Sequence, residues 1–85
     1  MPRTRKGAVQ IRFEILEYLY YNSPPQPRTH VWRKASTLSY DDFSKHLEYL
    51  IERDLVIMNE EGNIYISGEG RDVFDKLKNV LPSIL

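Results

Sequence analysis

The sequence of 85 residues contains no cysteine, which excludes disulfide bonds, thiolate metal sites and a cysteine nucleophile. It also contains no apolar run that approaches the roughly 18 residues of a membrane-spanning helix. The basic residues close to its start are not followed by the apolar segment of a secretory signal peptide. We therefore expect an unexported, cytoplasmic protein without a membrane partner.

The sequence also lacks a net charge, because the charges of its 12 basic and 12 acidic residues cancel. The charges are unevenly distributed. Residues 1–34 hold seven basic and two acidic residues, for a net charge of +5, and residues 35–85 hold five basic and ten acidic residues, for −5. A large positive excess, on which non-specific DNA coating relies, is missing. A local basic face can still attract a polyanion, because local potential steers association.

Catalytic and metal-binding motifs are a third absence. His30 and His46 are the two histidines, and they show no ligand spacing. The sequence has no Gly-rich phosphate loop, nucleophile elbow or HExxH motif. Asp41 and Asp42 are adjacent on a predicted helix and point in different directions, so they form no acid/base pair. We therefore expect a protein that is not an enzyme and has no metal or cofactor.

Two helices are predicted in the first half of the chain. Apolar residues recur every three or four positions over residues 8–21, as in an amphipathic helix. Three prolines within residues 22–27 end this helix. A short helix follows over residues 30–36, with Thr29 as its N-cap, and a turn at residues 37–38 leads to the next helix.

The third predicted helix begins with a capping pattern. Ser39 takes the N-cap position, and Asp42 follows three residues later, as in an [ST]-x-x-[DE] capping box. Carboxylates in a first helical turn also interact favourably with the helix dipole. Beyond this turn the apolar residues keep the helical period as far as Leu55,. The aspartates that open this helix are therefore explained as residues that help to start it.

A hairpin and a fourth helix complete the chain. The β-rich runs 55–58 and 64–66 flank a Gly- and Asn-containing connection at residues 59–63, which predicts a β-hairpin. An apolar stripe then predicts a helix over about residues 70–81, interrupted at Pro82. Strand alternation predicts two faces for the hairpin: a core face with Leu55, Ile57, Ile64 and Ile66, and an outer face with Val56, Met58 and Tyr65.

The order helix, helix, turn, helix, hairpin, helix predicts a mostly α fold with a small β-hairpin (α+β), a winged helix-turn-helix. We expect a basic flexible N-terminal arm over residues 1–7 and a single domain over residues 8–85. Within that domain the helix-turn-helix is expected at about 29–53, the wing at about 55–67 and the C-terminal helix at about 70–81.

Several residues carry a resemblance to a known family: Ala35 on the second helix, Leu38-Ser39-Tyr40 in the turn, Phe43 three residues after the tyrosine, and Gly70 after the wing. With these residues the chain resembles the small archaeal winged-helix DNA-binding proteins, which are of about the same mass as this chain of 10.1 kDa. The resemblance covers about residues 10 to 80. It implies a duplex-DNA binder, usually dimeric, that acts as a transcription regulator or a chromatin-like protein.

Polar and basic residues in three places are expected to contact DNA. The N-terminal arm is suited to a backbone or a minor groove, cations on or beside the second helix are suited to phosphates, and the start of the third helix is suited to base edges. Acidic residues in the third helix and at the wing tip oppose binding by Coulomb repulsion. The expected DNA contacts are Arg3, Arg5, Lys6, Arg28, Thr29, Arg33, Lys34, Ser39, Tyr40, Ser44, Lys45 and Asn63.

The first and last helices are expected to form a homodimer, because the apolar stripe of the last helix is broad and aromatic residues crowd the end of the first. The alternative is a protein-binding winged helix without appreciable DNA affinity, favoured by the acidic helix and wing tips. Neither the target DNA sequence nor any small-molecule effector follows from the sequence. The expected dimer contacts are Tyr20, Val73, Phe74, Leu77, Val80, Leu81 and Ile84.

Overall fold

A computed structural model describes residues 7–84 of the chain, with side chains as far as residue 80. Over this part, four helices and three short strands follow one another in the arrangement of an α+β winged helix-turn-helix. In chain order they are α1 (Ala8–Tyr21), β1 (Gln26–Pro27), α2 (Arg28–Ala35), α3 (Tyr40–Glu52), β2 (Val56–Met58), β3 (Asn63–Ile66) and α4 (Gly68–Ile84).

The sheet has three antiparallel strands in the order β1-β3-β2, so the predicted hairpin of β2 and β3 is extended by the proline-rich connector. Gln26 and Pro27 pair with Ile64 and Asn63, and an edge position is one where a sheet tolerates proline. The Tyr18 hydroxyl donates to Gln26 Oε1 at 2.8 Å. This bond ties the connector to the last turn of α1, and it holds the third strand that the sequence does not predict.

The predicted faces of β2 are wrong at two residues. Val56 is 1% exposed, whereas Ile57 is 39% exposed. The register pairs Val56 with Ile66, and because side chains of paired residues lie on the same face, Val56 enters the core. Leu55 lies in the turn that follows α3 rather than in the strand, so Val56 and Ile57 exchange the faces that the alternation predicts. Met58 remains exposed, as predicted.

The core lies between the three-stranded sheet and the four helices. All helices contribute to it, and α1 and α3 contribute three residues each. The buried apolar residues are Ile15, Leu16, Leu19, Val31, Phe43, Leu47, Leu50, Val56, Ile64, Ile66 and Phe74. This core fixes which faces of α2 and α3 remain on the surface. Over the described part of the chain, no helix is both long enough and apolar enough to cross a membrane.

Two helix starts differ from prediction. The helix α2 begins at Arg28 with Pro27 at its N-cap, so Thr29 lies inside the first turn and does not cap it. The fixed φ of proline suits this entry. The helix α4 begins at Gly68 because the Ser67 hydroxyl accepts a hydrogen bond from Gly70 N at 2.9 Å, as an N-cap does.

The end of α4 also differs from prediction. The helix runs on to Ile84 and is not interrupted at Pro82. Proline has a φ compatible with a helix, and the hydrogen bond that it removes falls near the end of this helix, where few later bonds depend on it.

The helix α3 ends in a Schellman motif. Asp54 has a φ of +61°, the left-handed region that favours glycine. Its N–H bonds to Ile51 O at 3.0 Å, and Leu55 N bonds to Leu50 O at 3.0 Å, which are the two bonds of that motif. The motif turns the chain sharply from α3 into β2, and it sets the register described above.

Replacing Asp54 by glycine is expected to raise the free energy of unfolding by about 0.5–1 kcal/mol, because glycine adopts a positive φ without the Cβ strain of other residues. Urea denaturation measures the change. Asp54→Ala is the control, because it removes the same carboxylate but keeps the Cβ. An equal gain in both variants would show that charge, rather than backbone strain, limits stability here.

Candidate nucleic-acid interface

The turn between α2 and α3 is held by Trp32. Its Nε1 donates to Leu38 O at 2.7 Å, and its ring meets Tyr40 edge to face at 5.2 Å between centroids. The Ser36 hydroxyl accepts from Leu38 N at 2.9 Å. These contacts fix the angle between the two helices, so α3 is presented on a rigid support.

The inward face of α3 is fully used by the core, because Phe43, Leu47 and Leu50 are at most 1% exposed. The opposite face is on the surface, and no other element of the described chain covers it. It begins at Tyr40 and Ser44, which are half-buried. Its exposed residues are Asp41, Lys45, Glu48 and Glu52.

Ser39 caps α3 as predicted, because its Oγ accepts from Asp42 N at 3.2 Å. Asp41 and Asp42 both lie in the first turn, where carboxylates stabilise a helix. The capping role of Ser39 is therefore confirmed, whereas its predicted contact with DNA stays a prediction.

Arg28 and Ser44, both predicted to contact DNA, contact each other. Arg28 Nη2 donates to Ser44 Oγ at 3.3 Å, which joins the first turn of α2 to α3. Arg28 Nε is buried and has no hydrogen-bond partner. Arg28 is half-buried, so the structure places it between the two helices rather than on an open surface.

Three of the predicted DNA contacts are exposed cations. Arg33 and Lys34 lie exposed in the last turn of α2, and Lys45 is exposed on α3. Within the described residues none of them forms an ion pair. Lys34 also borders a groove of about 320 Å³ between α1 and α2, which Glu14 and Glu17 line as well. Unpaired exposed cations of this kind are available to an anionic ligand.

The wing tip is acidic. Glu60 and Glu61 are exposed there, in a turn closed by a bond from Gly62 N to Asn59 O at 3.0 Å. Asn59 Oδ1 accepts from the backbone N–H groups of Glu61 and Asn63, each at 3.0 Å. The turn is therefore built by Asn59. Asn63, predicted to contact DNA, begins β3 next to Pro27.

A cluster that the sequence does not reveal joins α1 to α3. The Arg12 guanidinium lies 3.5 Å from the centre of the Tyr49 ring, and Arg53 lies 4.3 Å from the same ring. Arg12 Nε also donates to His46 Nδ1 at 3.3 Å, so this ring nitrogen is unprotonated. Partial burial, and then the charge of Arg12, lower the pKa of His46, against the opposing effect of Asp42.

The surroundings of His46 in this cluster predict how the stability of the fold depends on pH. Because the pKa of His46 is lower in the folded chain than its usual value, the unfolded chain takes up the proton first. The stability contributed by neutral His46 is therefore fully present above its unfolded-state pKa of about 6.5. This contribution is lost as the pH falls from there through the folded-state pKa. We expect His46→Gln to flatten this part of the profile, measured as melting temperature between about pH 7.5 and 5.5.

The matched control is His30→Gln, which removes the exposed histidine of α2. This variant is expected to keep the slope of the unmodified protein. If the slope survives in His46→Gln and disappears in His30→Gln, the contact with Arg12 does not control the pH dependence.

Side chains of α1 and α4 pack against each other where the two helices meet. Tyr20 packs on Phe74 with 4.6 Å between ring centroids, and its hydroxyl donates to Asp75 Oδ1 at 2.9 Å, the main cause of a raised Tyr20 pKa. Phe74 is 1% exposed and belongs to the core. This corrects its assignment to a surface that meets a second subunit.

Other predicted dimer contacts do reach the surface. Val80 is 50% exposed, and Val73 and Leu77 are half-buried beside an apolar groove of about 140 Å³ between α1 and α4. Some of the predicted contacts lie outside what the structure describes. They are the DNA contacts Arg3, Arg5 and Lys6, and the side chains of the dimer contacts Leu81 and Ile84.

Nothing in the described residues is arranged as a metal centre, since no three His, Asp or Glu side chains are placed to hold an ion together. The described helix-turn-helix also presents a polar surface. It combines a rigidly held helix with an uncovered outer face and nearby unpaired cations.

Comparison with known proteins agrees with this geometry. A family model described as winged helix-turn-helix matches residues 5–83, which includes every described helix and strand except the last residue of α4. No curated protein matches the chain. Domains of this description typically bind DNA and are not enzymes.

Proposed function

Because this chain belongs to the winged helix-turn-helix family, we propose that it binds duplex DNA and regulates transcription as a homodimer. The observation that carries the proposal is the uncovered outer face of α3, which Trp32 holds in place. It is accompanied by Arg33, Lys34 and Lys45, which form no ion pair within the described residues. The resemblance to small archaeal DNA-binding proteins supports the same proposal.

The bound geometry follows from the sizes of helix and groove. A major groove about 12 Å wide admits one α-helix, and α3, the second helix of the helix-turn-helix, has an outer face that is exposed from Asp41 to Glu52. Arg33 and Lys34, in the last turn of the preceding helix α2, would then lie beside the flanking phosphates. Phosphate contacts of this kind set position and register, while base contacts select the sequence.

A selective regulator fits the charges better than an abundant coating protein. Non-specific coating depends almost wholly on phosphate neutralisation, yet the chain has no net charge, and the tips of α3 and of the wing carry Asp41, Asp42, Glu60 and Glu61. These carboxylates reduce affinity for every DNA. With this charge distribution, binding depends more on contacts with bases than on neutralisation of phosphates.

Titration of labelled random-sequence duplex DNA over a series of salt concentrations tests DNA binding. We expect fluorescence anisotropy to report binding that weakens linearly on a log–log plot against salt, with a slope of about −0.9 for each phosphate contact. If no binding occurs even at low salt, the proposal fails and a protein-binding winged helix takes its place.

The proposed dimer uses the surface between α1 and α4. Val9 and Val80 are exposed apolar residues, with 59% and 50% of their surfaces accessible. Val9 lines the apolar groove together with Val73 and Leu77, and Val80 continues the stripe of Val73 and Leu77 along α4 by helical spacing. Apolar groups gain free energy when an interface removes them from water. A symmetric pairing of this surface would cover both exposed valines.

The dimer proposal predicts a dimeric mass for the unmodified protein by light scattering, and a monomeric mass for Val80→Arg. Because Val80 is half exposed, this change is expected to leave the fold intact, which a thermal melt checks. Leu77→Arg is expected to separate the subunits as well, with a greater cost to stability. A monomeric mass for the unmodified protein at micromolar concentration would remove the proposal.

A further inference from the structure

The outer face of α3 carries charges of both signs at positions that share one helical face. Asp41, Lys45 and Glu48 lie at i, i+4 and i+7 and are all exposed,. Oppositely charged neighbours four residues apart on a helix often pair. Among the described side chains, however, Asp41 and Lys45 form no ion pair. Both groups are therefore free to meet a ligand.

The two aspartates of the first turn have different surroundings. Asp42 lies one turn before His46, which contacts Arg12 of α1, so Asp42 lies on the side of α3 that is nearer to α1. Asp41 lies on the outer stripe with Lys45. Asp41 is therefore centred on the outer face together with Lys45, whereas Asp42, three residues before Lys45, lies at the edge of that face. Asp42 is a matched reference for Asp41.

The chemistry of base edges then limits what Asp41 can recognise. A carboxylate only accepts hydrogen bonds. In the major groove, cytosine presents an N4 amino donor, whereas the amino group of adenine stands beside the acceptor N7, which repels a carboxylate. Lysine, in contrast, only donates hydrogen bonds. It therefore suits guanine, which presents the two acceptors O6 and N7 in the major groove.

We propose that Asp41 and Lys45 make α3 selective for C·G base pairs, with Asp41 accepting from cytosine N4 and Lys45 donating to guanine O6 or N7. This inference rests on the proposed DNA binding and adds the class of base pair that is read. The contacts are made either to one pair or to two neighbouring pairs.

The proposal separates selectivity from affinity. The carboxylate of Asp41 repels phosphates of any sequence, so its removal should strengthen binding to random DNA. The same removal should weaken discrimination between base pairs. A residue that acts only through its charge would change the first quantity and leave the second unchanged.

The test is selection of preferred sites from a randomised duplex library by three proteins: unmodified, Asp41→Asn and Asp42→Asn. We expect the unmodified protein to enrich a C·G pair at a fixed position. Asp41→Asn should lose that preference or move it to A·T, since asparagine pairs with adenine N6 and N7. Asp42→Asn should retain it. Thermal melts establish that both variants are folded.

A chemical probe completes the test. In the selected site, the cytosine is replaced by N4-methylcytosine, which still pairs with guanine but has a methyl group in place of the major-groove hydrogen. We expect binding by the unmodified protein to fall about fivefold or more, and binding by Asp41→Asn to be unaffected.

Two negative outcomes are distinguishable. If the unmodified protein binds random duplex DNA but selects no C·G pair, or if both variants select the same site as the unmodified protein, the base-reading role of Asp41 is overturned and the proposed function stands. If it binds no duplex DNA at low salt, the proposed function and this inference both fall.

Discussion

Replacing Gly70 by alanine is expected to lower the free energy of unfolding by about 3 kcal/mol, because overpacked residues without room to relax cost about 1–3 kcal/mol or more. A Cβ at this position would lie 2.2 Å from Leu55 O and 2.7 Å from Ile66 Cγ1. Neither neighbour can yield easily. Leu55 O accepts a hydrogen bond from Ser67 N, and Ile66 is a core residue.

The clash would reach beyond one contact. The Ser67 hydroxyl donates to Asp54 O and accepts from Gly70 N, so the start of α4 is bonded to the end of α3 through the same few atoms. If α4 moves away to make room for a methyl group, these bonds are lost with the contact. For a domain of this size, a loss of this magnitude corresponds to a fall in melting temperature of about 15 °C.

Gly68→Ala is the matched control, because it makes the same chemical change one half-turn earlier, where a Cβ would meet nothing within 4 Å. It is expected to be neutral or slightly stabilising, since alanine favours a helix over glycine. Urea denaturation followed by circular dichroism compares the two. Equal midpoints would show that the contact of Gly70 with Leu55 is not tight in solution.

Elements with a local signal could be predicted from the sequence. The helix predicted over residues 8–21 is confirmed as α1 with the same bounds, because an apolar period and a proline-rich end both mark it. The N-cap at Ser39 is confirmed for the same reason, since a cap depends on residues three positions apart,. These signals need no knowledge of the rest of the chain.

Elements that depend on distant partners could not be predicted. The strand β1 has two residues, one of them proline, and it exists because β3 and Tyr18 bind it from elsewhere in the chain. The faces of β2 depend on whether Leu55 ends α3 or begins the strand. The left-handed conformation of Asp54 decides this, and aspartate at that position is a weaker signal than glycine.

Some features of the candidate site could be predicted from local sequence, and others depend on contacts between distant residues. The exposure of Arg33, Lys34 and Lys45 was predictable, because each lies on the polar side of a helix whose apolar side is evident. The contact between Arg28 and Ser44 joins residues 16 positions apart, and that between Arg12 and His46 joins residues 34 positions apart. Contacts over such separations arise only from the packing of helices, which leaves no periodic trace in the sequence.

Reversal of the two cations at the end of α2 is expected to have the largest effect on DNA binding. Each phosphate contact contributes about tenfold to affinity at roughly 0.1 M salt, and its loss reduces the salt slope by about 1. Arg33→Glu and Lys34→Glu should therefore each weaken binding to random duplex DNA about tenfold, and the double variant about 100-fold. All sequences should be affected alike, because phosphates carry no base information.

The control for this prediction must change the net charge equally without changing the proposed contact surface. Lys76→Glu does so, since Lys76 is exposed on α4, away from the helix-turn-helix. Anisotropy titrations of Lys34→Glu and Lys76→Glu at several salt concentrations compare a local effect with a general one. If both variants weaken binding equally and with the same slope, the long-range charge of the protein attracts DNA and α2 does not lie on the phosphates. A loss confined to Lys34→Glu and Arg33→Glu would place the end of α2 at the DNA backbone, and the outer face of α3 would then be the surface that faces the bases.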